Sequence, residues 1–483
     1  MRPIGIAFAA PAAVAVALIV SRAHLRADEP SVVGYRPQID RIVATATADT
    51  AAWQRLAEFT DMFPARLSGT ENLQKAIAWA AEQMKRDGFS NVRIDPVMVP
   101  HWVRGRESAA IVAPFQGDLV IAGLGGSVGT GPAGIEAETL VVKSFEELEA
   151  RAAEVKGKIV LYNVVYRTDA YPHTAYREGT QYRGAGASRA AKLGAVAAFV
   201  RSVGPTAHRT PHTGGMRYSP DAPQIPVAAI SAEDADKLQR LQDRGVRPVL
   251  RLRMEAQTLP DVESGNVVAE WRGREKPDEV VLIGGHIDSW DLASGAMDDG
   301  GGVIATWEAL RVLKRLNLIP RRTIRLVLFT NEENGTRGGQ GYRDKYRDSL
   351  SKHVMVLESD NGMLPIDGWS VDAAPSARAV IAEIAKLLGA VGGTTISDDF
   401  DGSDVQPSAR EGHIPAVSPW TDMRQYFVIH HTPADTVDKV APSDMQRCVA
   451  GIAAMAYVVA DMPQLLDRTP ASPTSRSGNG GPQ

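Results

Sequence analysis

The chain has 483 residues, of which 53 are basic and 57 acidic, so its formal net charge is −4. This balance supplies no general positive field, and no run rich in lysine and arginine is present, so we expect no nucleic-acid partner. A single cysteine, Cys448, excludes an intramolecular disulfide and any metal site built from several thiolates. The length of the chain is sufficient for two or three domains, and hydrophobic residues make up 44% of the chain, which is typical of a globular protein.

The first 27 residues have the pattern of an export signal. Arg2 precedes an apolar stretch over residues 4–20, and Ala23 or Ala27 stands where a cleavage site is expected. Pro11 and the many alanines make this stretch a weak permanent membrane helix, with an uncleaved anchor as the alternative. We predict a signal peptide and export to the periplasm or the medium, without stable membrane association beyond such an anchor.

Residues 40–89 have a helical pattern. Ser68 or Thr70 can cap a helix whose apolar positions begin at Leu73, and Gly88 stands where that helix should stop. The next segment is different in texture, with many glycines and prolines and short β-type runs such as GKIVLYNV. We expect this segment to be an inserted, mostly-β domain that carries no catalytic residue and shapes access or oligomer contacts.

After the inserted segment, apolar runs alternate with helical patterns. EVVLIGG, TIRLVLFT and HVMVLES predict buried strands, which together with the helices indicate an α/β fold with a largely parallel sheet covered on both faces. A tail rich in proline, glycine and serine is expected to be disordered. The predicted division is a signal peptide (1–27), the N-terminal part of the main domain (36–111), the inserted domain (112–260), the catalytic part (261–466) and the tail (467–483).

Residues that can bind metal follow three of the predicted strands. The first strand ends in GGHIDSWD, with His286 and Asp288, and the second ends in Glu332 and Glu333 of NEENG. The third ends in LESDNG, with Asp360. Ligands of open α/β sheets bind at the carboxyl ends of the strands, so these side chains are predicted to meet at one site.

Two further motifs supply more residues of the same kind. GAMDDGGG contains Asp298 and Asp299 at the start of a helix, and VIHHTPADT contains His430, His431 and Asp435. Imidazole and carboxylate are good zinc ligands, and two metals about 3.5–4 Å apart need a bridging carboxylate. The set therefore predicts a pair of divalent metals.

Two of the acids are candidates for orienting histidines. A ligating histidine generally donates its other N–H to a carboxylate, which fixes the tautomer and the ring orientation. Asp288 is suited to this role for His286, and Asp435 is suited to it for His431.

The five motifs together resemble the co-catalytic zinc exopeptidases, the family of bacterial secreted leucine aminopeptidases and glutamate carboxypeptidase II. The resemblance covers about residues 36–462 and implies an α/β/α sandwich with a mostly parallel mixed sheet. In that family the inserted module is a protease-associated domain, which VKGKIVLYNV resembles.

The resemblance implies two Zn²⁺ ions per chain and a definite set of ligands. The implied ligands are His286, Asp298, Glu333, Asp360 and His431. His286, Asp298 and Asp360 match the ligands of one zinc, and Asp298, Glu333 and His431 match those of the other, so Asp298 would be the bridge. His431 is chosen over His430 because the family's ligand histidine directly precedes a Thr or Ser followed by x-x-Asp/Glu.

The adjacent pair Glu332 and Glu333 receives two different roles. Adjacent residues that leave a strand point in different directions, so Glu333 can bind metal while Glu332 faces the attacking water. Glu332 matches the family's catalytic general base, which takes a proton from that water and later protonates the leaving amine. Asn331 departs from the family pattern, since close relatives often have Ala there.

We therefore predict an exported zinc metalloprotease that removes terminal residues from short peptides or splits dipeptides, as a carboxypeptidase or dipeptidase. An aminopeptidase of the same family is the alternative. Residues 400–417 match a pocket region of the family but lack the histidine that some aminopeptidases carry there. A catalytically inactive binding protein would be expected to lack a ligand or the base, and none is missing. A homodimer is a further expectation, and His212 has no predicted role.

Overall fold

The structure is a computed structural model that describes residues 32–205 and 208–468. The export signal predicted for residues 1–27 lies outside the described residues, as does the predicted tail beyond Arg468. Across the described ranges, no helix combines the length and the apolar character needed to cross a membrane.

The strands of the described residues form two β-sheets, and α-helices connect or flank them. The strands are β1 (Ser90–Val103), β2 (Glu107–Ala113), β3 (Gly117–Leu119), β4 (Ile121–Gly123), β5 (Ile135–Val142), β6 (Ile159–Tyr162), β7 (Ala197–Arg201), β8 (Val227–Ile230), β9 (Val249–Met254), β10 (Gln257–Trp271), β11 (Lys276–His286), β12 (Arg322–Phe329), β13 (His353–Glu358), β14 (Ile366–Asp372), β15 (Gly392–Ser397) and β16 (Ala416–Trp420). The helices are α1 (Arg36–Thr47), α2 (Ala51–Met62), α3 (Glu71–Arg86), α4 (Phe145–Ala150), α5 (Ala152–Val155), α6 (Pro172–Lys192), α7 (Ala232–Asp243), α8 (Gly301–Arg315), α9 (Arg337–Tyr346), α10 (Pro375–Leu387), α11 (Gln406–Gly412), α12 (Met423–Ile429) and α13 (Pro442–Asp461).

The first sheet has the strand order β1-β10-β12-β11-β13-β16-β14-β15. Its central strands β12, β11, β13 and β16 run parallel, whereas β1, β10 and β14 bring antiparallel pairings to its flanks. The carboxyl ends of the three strands predicted to carry metal ligands therefore lie at the same edge. The prediction of a mostly parallel mixed sheet is confirmed.

The second half of strand β12, Leu326 to Phe329, is an uninterrupted apolar run, and its packing explains why. Leu326 and Leu328 pack into the core beneath α8 and α13, while Val327 and Phe329 pack with Tyr342 of α9 on the other face. Successive strand residues point to opposite faces, so a strand covered on both sides needs apolar residues at every position. The helices on both faces bury the strand and leave its carboxyl end as the place where polar residues begin.

Helix α3 forms where the sequence predicted a helix. The hydroxyl oxygen of Thr70 accepts a hydrogen bond from the backbone N–H of Leu73 at 3.3 Å, which satisfies one of the free donors of the first turn. Gly88 has φ 72°, a left-handed conformation that glycine adopts without steric cost, and the helix ends two residues before it.

The second sheet has the order β3-β2-β9-β5-β6-β7-β8-β4 and is formed entirely by strands between Glu107 and Met254. This segment also contains the long helix α6, which the sequence did not predict because Gly179 and Gly184 weaken the helical pattern. Gly186 of α6 lies against Tyr162, and a Cβ there would come within 2.7 Å of the ring. The glycine thus permits close packing of α6 on β6, and α6 reaches the polar edge of the first sheet.

Candidate metal centre

The five residues that the resemblance implies as ligands come together at the carboxyl edge of the first sheet. His286 ends β11, Asp298 precedes α8, Glu333 follows β12, Asp360 follows β13, and His431 follows α12. Nε2 of His286 lies 3.2 Å from Oδ1 of Asp298 and 3.4 Å from Oδ1 of Asp360. Nε2 of His431 lies 3.2 Å from Oδ2 of Asp298 and 3.0 Å from Oε2 of Glu333. Asp298 therefore directs one oxygen at each of two donor pairs.

The electrostatics of this cluster suit a divalent cation. Burial, reinforced by the charge of Asp298, raises the pKa of Glu333 to about 8 and that of Asp360 to about 7. Oδ2 of Asp298, Oε2 of Glu333 and Oδ1 of Asp360 have no hydrogen-bond partner among the described residues. His286, Asp298 and Glu333 offer ligand atoms that all lie within 4.8 Å of one another. A divalent cation would satisfy these oxygens and neutralise the clustered charge, so the donor set fits zinc.

Asp299 has a structural role beside these residues. Its carboxylate accepts the backbone N–H of His286 at 3.0 Å and that of Gly302 at 2.9 Å. A Cβ at Gly302 would lie 1.8 Å from the carbonyl oxygen of Ser359, which explains the glycine-rich start of α8. Asp299 therefore joins the end of β11 to the start of α8 and fixes the spacing between His286 and Asp298.

The adjacent glutamates have separate partners, in line with the directions predicted from the sequence. Asn331 has φ 65°, a left-handed conformation that asparagine tolerates better than most residues. The carboxylate of Asp288 then accepts the backbone N–H groups of Glu332 at 3.0 Å and Glu333 at 3.3 Å. The side chain of Glu332 accepts a hydrogen bond from Oγ of Ser403 at 2.7 Å, whereas that of Glu333 faces the histidine cluster.

Asp288 and Asp435 were predicted to accept hydrogen bonds from His286 and His431, but in the structure both accept them from backbone N–H groups instead. The Asp288 carboxylate lies 3.7 Å from Nδ1 of His286, and Nδ1 donates instead to the main-chain oxygen of Asp288 at 3.1 Å. Asp435 accepts the backbone N–H groups of residues 296–298 at 2.7–3.1 Å. Within the described ranges, Nδ1 of His431 has no hydrogen-bond partner. Both acids thus hold the loops that carry ligands, because buried loop N–H groups need acceptors.

Arg66 is a residue of the site that the sequence did not reveal. Its guanidinium is fully buried and donates to the main-chain oxygens of Phe63, Ile287, Ser294 and Gly295, at distances between 2.6 and 3.0 Å. Burial lowers its pKa to about 10. Three of the four carbonyls belong to the loop between His286 and Asp298, so Arg66 sets the shape of that loop. No motif or periodicity marks this arginine, and only its three-dimensional contacts identify it.

A pocket opens beside the cluster, and the inserted domain forms one of its walls. Tyr426 and Phe427 line it from the main domain, while His173, Tyr176 and Arg177 of α6 line it from the inserted domain. The rings of Tyr176 and Phe427 are stacked, with centroids 4.4 Å apart and planes 11° apart. The inserted domain therefore contributes side chains directly to the wall of the pocket.

The sheet, the donor cluster at its carboxyl edge and the inserted domain define a metallopeptidase of the α/β type. The sequence model of peptidase family M28 matches residues 266–456, and that of the PA domain matches residues 115–238. Carboxypeptidase Q of Xenopus laevis is 44% identical over 421 residues, which cover 87% of this chain and 88% of that protein. Human carboxypeptidase Q is 42% identical over 422 residues, with the same coverage of 87% and 88%.

A solved structure agrees with these sequence matches. The crystal structure of a peptidase M28 precursor from Shewanella amazonensis SB2B superposes with a TM-score of 0.86 at 33% identity, and the match covers 91% of this chain and 100% of that chain. The chain belongs to peptidase family M28. This membership confirms the assignment to a family of zinc-dependent exopeptidases and the α/β fold with an inserted PA domain.

We predict that Arg66→Lys weakens metal retention as well as stability. Lysine has fewer donors, and each buried carbonyl left unpaired costs about 1–3 kcal/mol. Arg322→Lys is the matched control, because Arg322 is also fully buried but donates to carbonyls of Val459 and Met462 from the opposite end of β12. Denaturant unfolding and metal analysis after dialysis measure both effects. Equal metal loss in the two variants would contradict a local role for Arg66.

Proposed function

We propose that the protein is an exported di-zinc exopeptidase that hydrolyses short peptides or dipeptides. The observation that carries the proposal is the position of Asp298, whose two oxygens face two separate donor pairs. His286 and Asp360 would complete one zinc site, and Glu333 and His431 would complete the other. His430 also reaches Oδ2 of Asp298, at 3.3 Å, but His431 is the better ligand because it faces Glu333 as well.

Zinc held by these residues would supply Lewis-acid chemistry, which would polarise a carbonyl and lower the pKa of water towards neutral. Glu332 lines the pocket and is the group that would accept the proton of the attacking water. The hydrogen bond from Ser403 holds one carboxylate oxygen of Glu332, and Asp288 holds its backbone N–H. The same carboxyl group would then deliver the proton to the leaving amine nitrogen, which completes cleavage of the peptide bond.

Membership of the family supports peptide substrates, and the relatives named carboxypeptidase Q support a carboxypeptidase or dipeptidase. The pocket supports short substrates, because α6 of the inserted domain closes one side of it. An aminopeptidase of the same family is the second candidate, since the acidic side chains of Asp399 and Asp401 at the pocket could bind a substrate amino group. The homodimer stays a prediction.

A substrate panel separates the two specificities. We expect zinc-loaded protein to split unblocked dipeptides and to lose activity when the substrate's carboxyl terminus is amidated. Free, acetylated and C-terminally amidated dipeptides, together with aminoacyl amides, are compared by kcat/KM. Faster hydrolysis of aminoacyl amides than of any free dipeptide would identify an aminopeptidase instead.

The two adjacent glutamates provide a matched pair of variants. Glu332→Gln keeps the size of the side chain but cannot take a proton, so kcat should fall by at least about 10²–10⁴-fold at unchanged metal content. Glu333→Gln replaces an anionic ligand with a neutral amide, so metal should be lost and activity should recover in part as free zinc is raised. Metal analysis and kcat across a zinc titration test both. Metal loss in the Glu332 variant alone would reverse the two roles.

Export is proposed from the apolar N-terminal segment of the sequence. We expect the mature chain to begin near residue 28 and to be recovered outside the cytoplasm. Sequencing of the N-terminus from separated cell fractions measures this. A cytoplasmic chain that still begins at Met1 would contradict export, whereas Met1 in the membrane fraction would identify an uncleaved anchor.

A further inference from the structure

One loop of the inserted domain, residues 211–215, reaches the two adjacent histidines of the metal centre. The backbone N–H of Thr213 donates to the main-chain oxygen of His431 at 2.9 Å. Next to it, Nε2 of the fully buried His212 lies 3.3 Å from Nδ1 of His430. The loop thus contacts the backbone of one histidine and the imidazole of the other.

The inserted domain holds this loop in place. Oγ1 of Thr213 donates to the main-chain oxygen of Gly123 at 2.8 Å, and the Arg104 guanidinium donates to Oγ1 of Thr213 at 3.3 Å. Nη1 of Arg183 from α6 donates to the main-chain oxygen of Thr213 at 3.2 Å. The backbone N–H of His212 donates to Oγ of Ser202. His212 is therefore presented by a loop with its own network of hydrogen bonds.

These contacts determine which nitrogen of His430 carries the proton. Nδ1 of His212 lies 2.9 Å from the main-chain oxygen of Thr213, and a carbonyl can only accept, so Nδ1 carries the proton and Nε2 the lone pair. Nδ1 of His430 must then be the donor to Nε2 of His212. In the neutral form of His430 the ring has one N–H, so its Nε2 is then left with a lone pair.

Whether Nε2 of His430 carries a proton is important because this nitrogen faces the carboxylate of Asp298. Nε2 of His430 lies 3.3 Å from Oδ2 of Asp298, the oxygen that the proposed second zinc site shares with His431. In the other tautomer, the N–H of His430 would hydrogen-bond to this oxygen and compete with the metal for it. The ring of His430 is also stacked on that of His431, with centroids 3.6 Å apart, so its orientation affects the ligand histidine.

We infer that His212 is a positioning residue of the metal centre: it holds the proton of His430 on Nδ1 and so leaves Oδ2 of Asp298 free for metal. The inference rests on the proposed zinc site. It gives the inserted domain a second part in that site, in addition to the pocket wall formed by α6. The groups follow one another in a row: the main-chain oxygen of Thr213, the imidazoles of His212 and His430, and Oδ2 of Asp298.

The test compares zinc affinity in the full-length wild-type protein and two variants of His212. His212→Phe keeps an aromatic ring but removes the acceptor. We expect zinc to bind about 10-fold more weakly, the lower end of the cost of losing a hydrogen-bond partner of a metal ligand, because His212 acts through His430. His212→Gln supplies an amide oxygen that can accept from Nδ1 of His430, and it should recover most of the affinity. Competition with a chelator of known zinc affinity measures all three proteins, independently of activity.

His353→Phe is the matched control. His353 is also buried, its Nδ1 lies 3.1 Å from the main-chain oxygen of Ser349, and its Nε2 lies 2.8 Å from the hydroxyl of Tyr342. It stands at the first residue of β13, at the end of the strand opposite the site. The same chemical change should therefore leave zinc affinity at the wild-type value, whatever it costs in stability.

A direct measurement of the tautomer remains decisive even if His212→Phe folds poorly. In wild-type protein with ¹⁵N-labelled histidine, the His430 resonances, assigned by their loss in His430→Gln, should show the proton on Nδ1. A proton on Nε2, or wild-type zinc affinity in His212→Phe, would overturn the inference and leave the proposed function intact. Wild-type protein that binds no zinc at all would overturn both.

Discussion

Several carboxylates of like charge share one buried edge of a β-sheet, and this constraint organises the rest of the molecule. Asp298, Glu333 and Asp360 cannot all be ionised in such a place without compensating positive charge. His286 and His431 lie within 3.4 Å of carboxylate oxygens on either side of Asp298 but leave buried oxygens unpaired. Two metal ions would meet that requirement. The cluster is therefore better explained as a metal-binding site than as a set of residues that stabilises the fold.

The surrounding structure keeps these groups together by controlling the backbone. Asp288 and Asp435 accept N–H groups from the two loops that carry Glu333 and Asp298, and Arg66 donates to the carbonyls of the loop between His286 and Asp298. Loops without regular hydrogen bonding need such partners when they are buried. The polar residues nearest the proposed ligands therefore form their hydrogen bonds with the main chain more than with the ligand side chains.

Part of this candidate site could be predicted from the sequence because three of the proposed ligands, His286, Glu333 and Asp360, stand at or just after the ends of strands, whereas Asp298 and His431 were identified through the family resemblance. The apolar runs of β11, β12 and β13 mark where each strand ends, and parallel strands bring those ends to one edge. The contacts of Asp288 and Asp435 could not be predicted, since their partners are backbone groups whose positions depend on loop conformation. His212 gave no signal either, because its partner, His430, is more than two hundred residues away in the chain.

The inserted domain was the least predictable part, because its role also depends on contacts between residues that are distant in the sequence. Its strands were visible as short apolar runs, but α6 was hidden by its glycines, one of which, Gly186, lets the helix pack closely on Tyr162 of β6. The packing of α6 against α12 brings Tyr176 onto Phe427 and closes the pocket. The contribution of the inserted domain to the pocket depends on this contact between α6 and α12. No local sequence pattern in either helix predicts such a contact.

The proposed site requires that Asp298 would bridge two zinc ions, and the decisive measurement is anomalous diffraction from a zinc-loaded crystal at the zinc absorption edge. We expect two peaks, one beside His286 and Asp360 and the other beside Glu333 and His431, with the Asp298 carboxylate between them. A single peak, or two peaks with Asp298 in contact with only one of them, would contradict it.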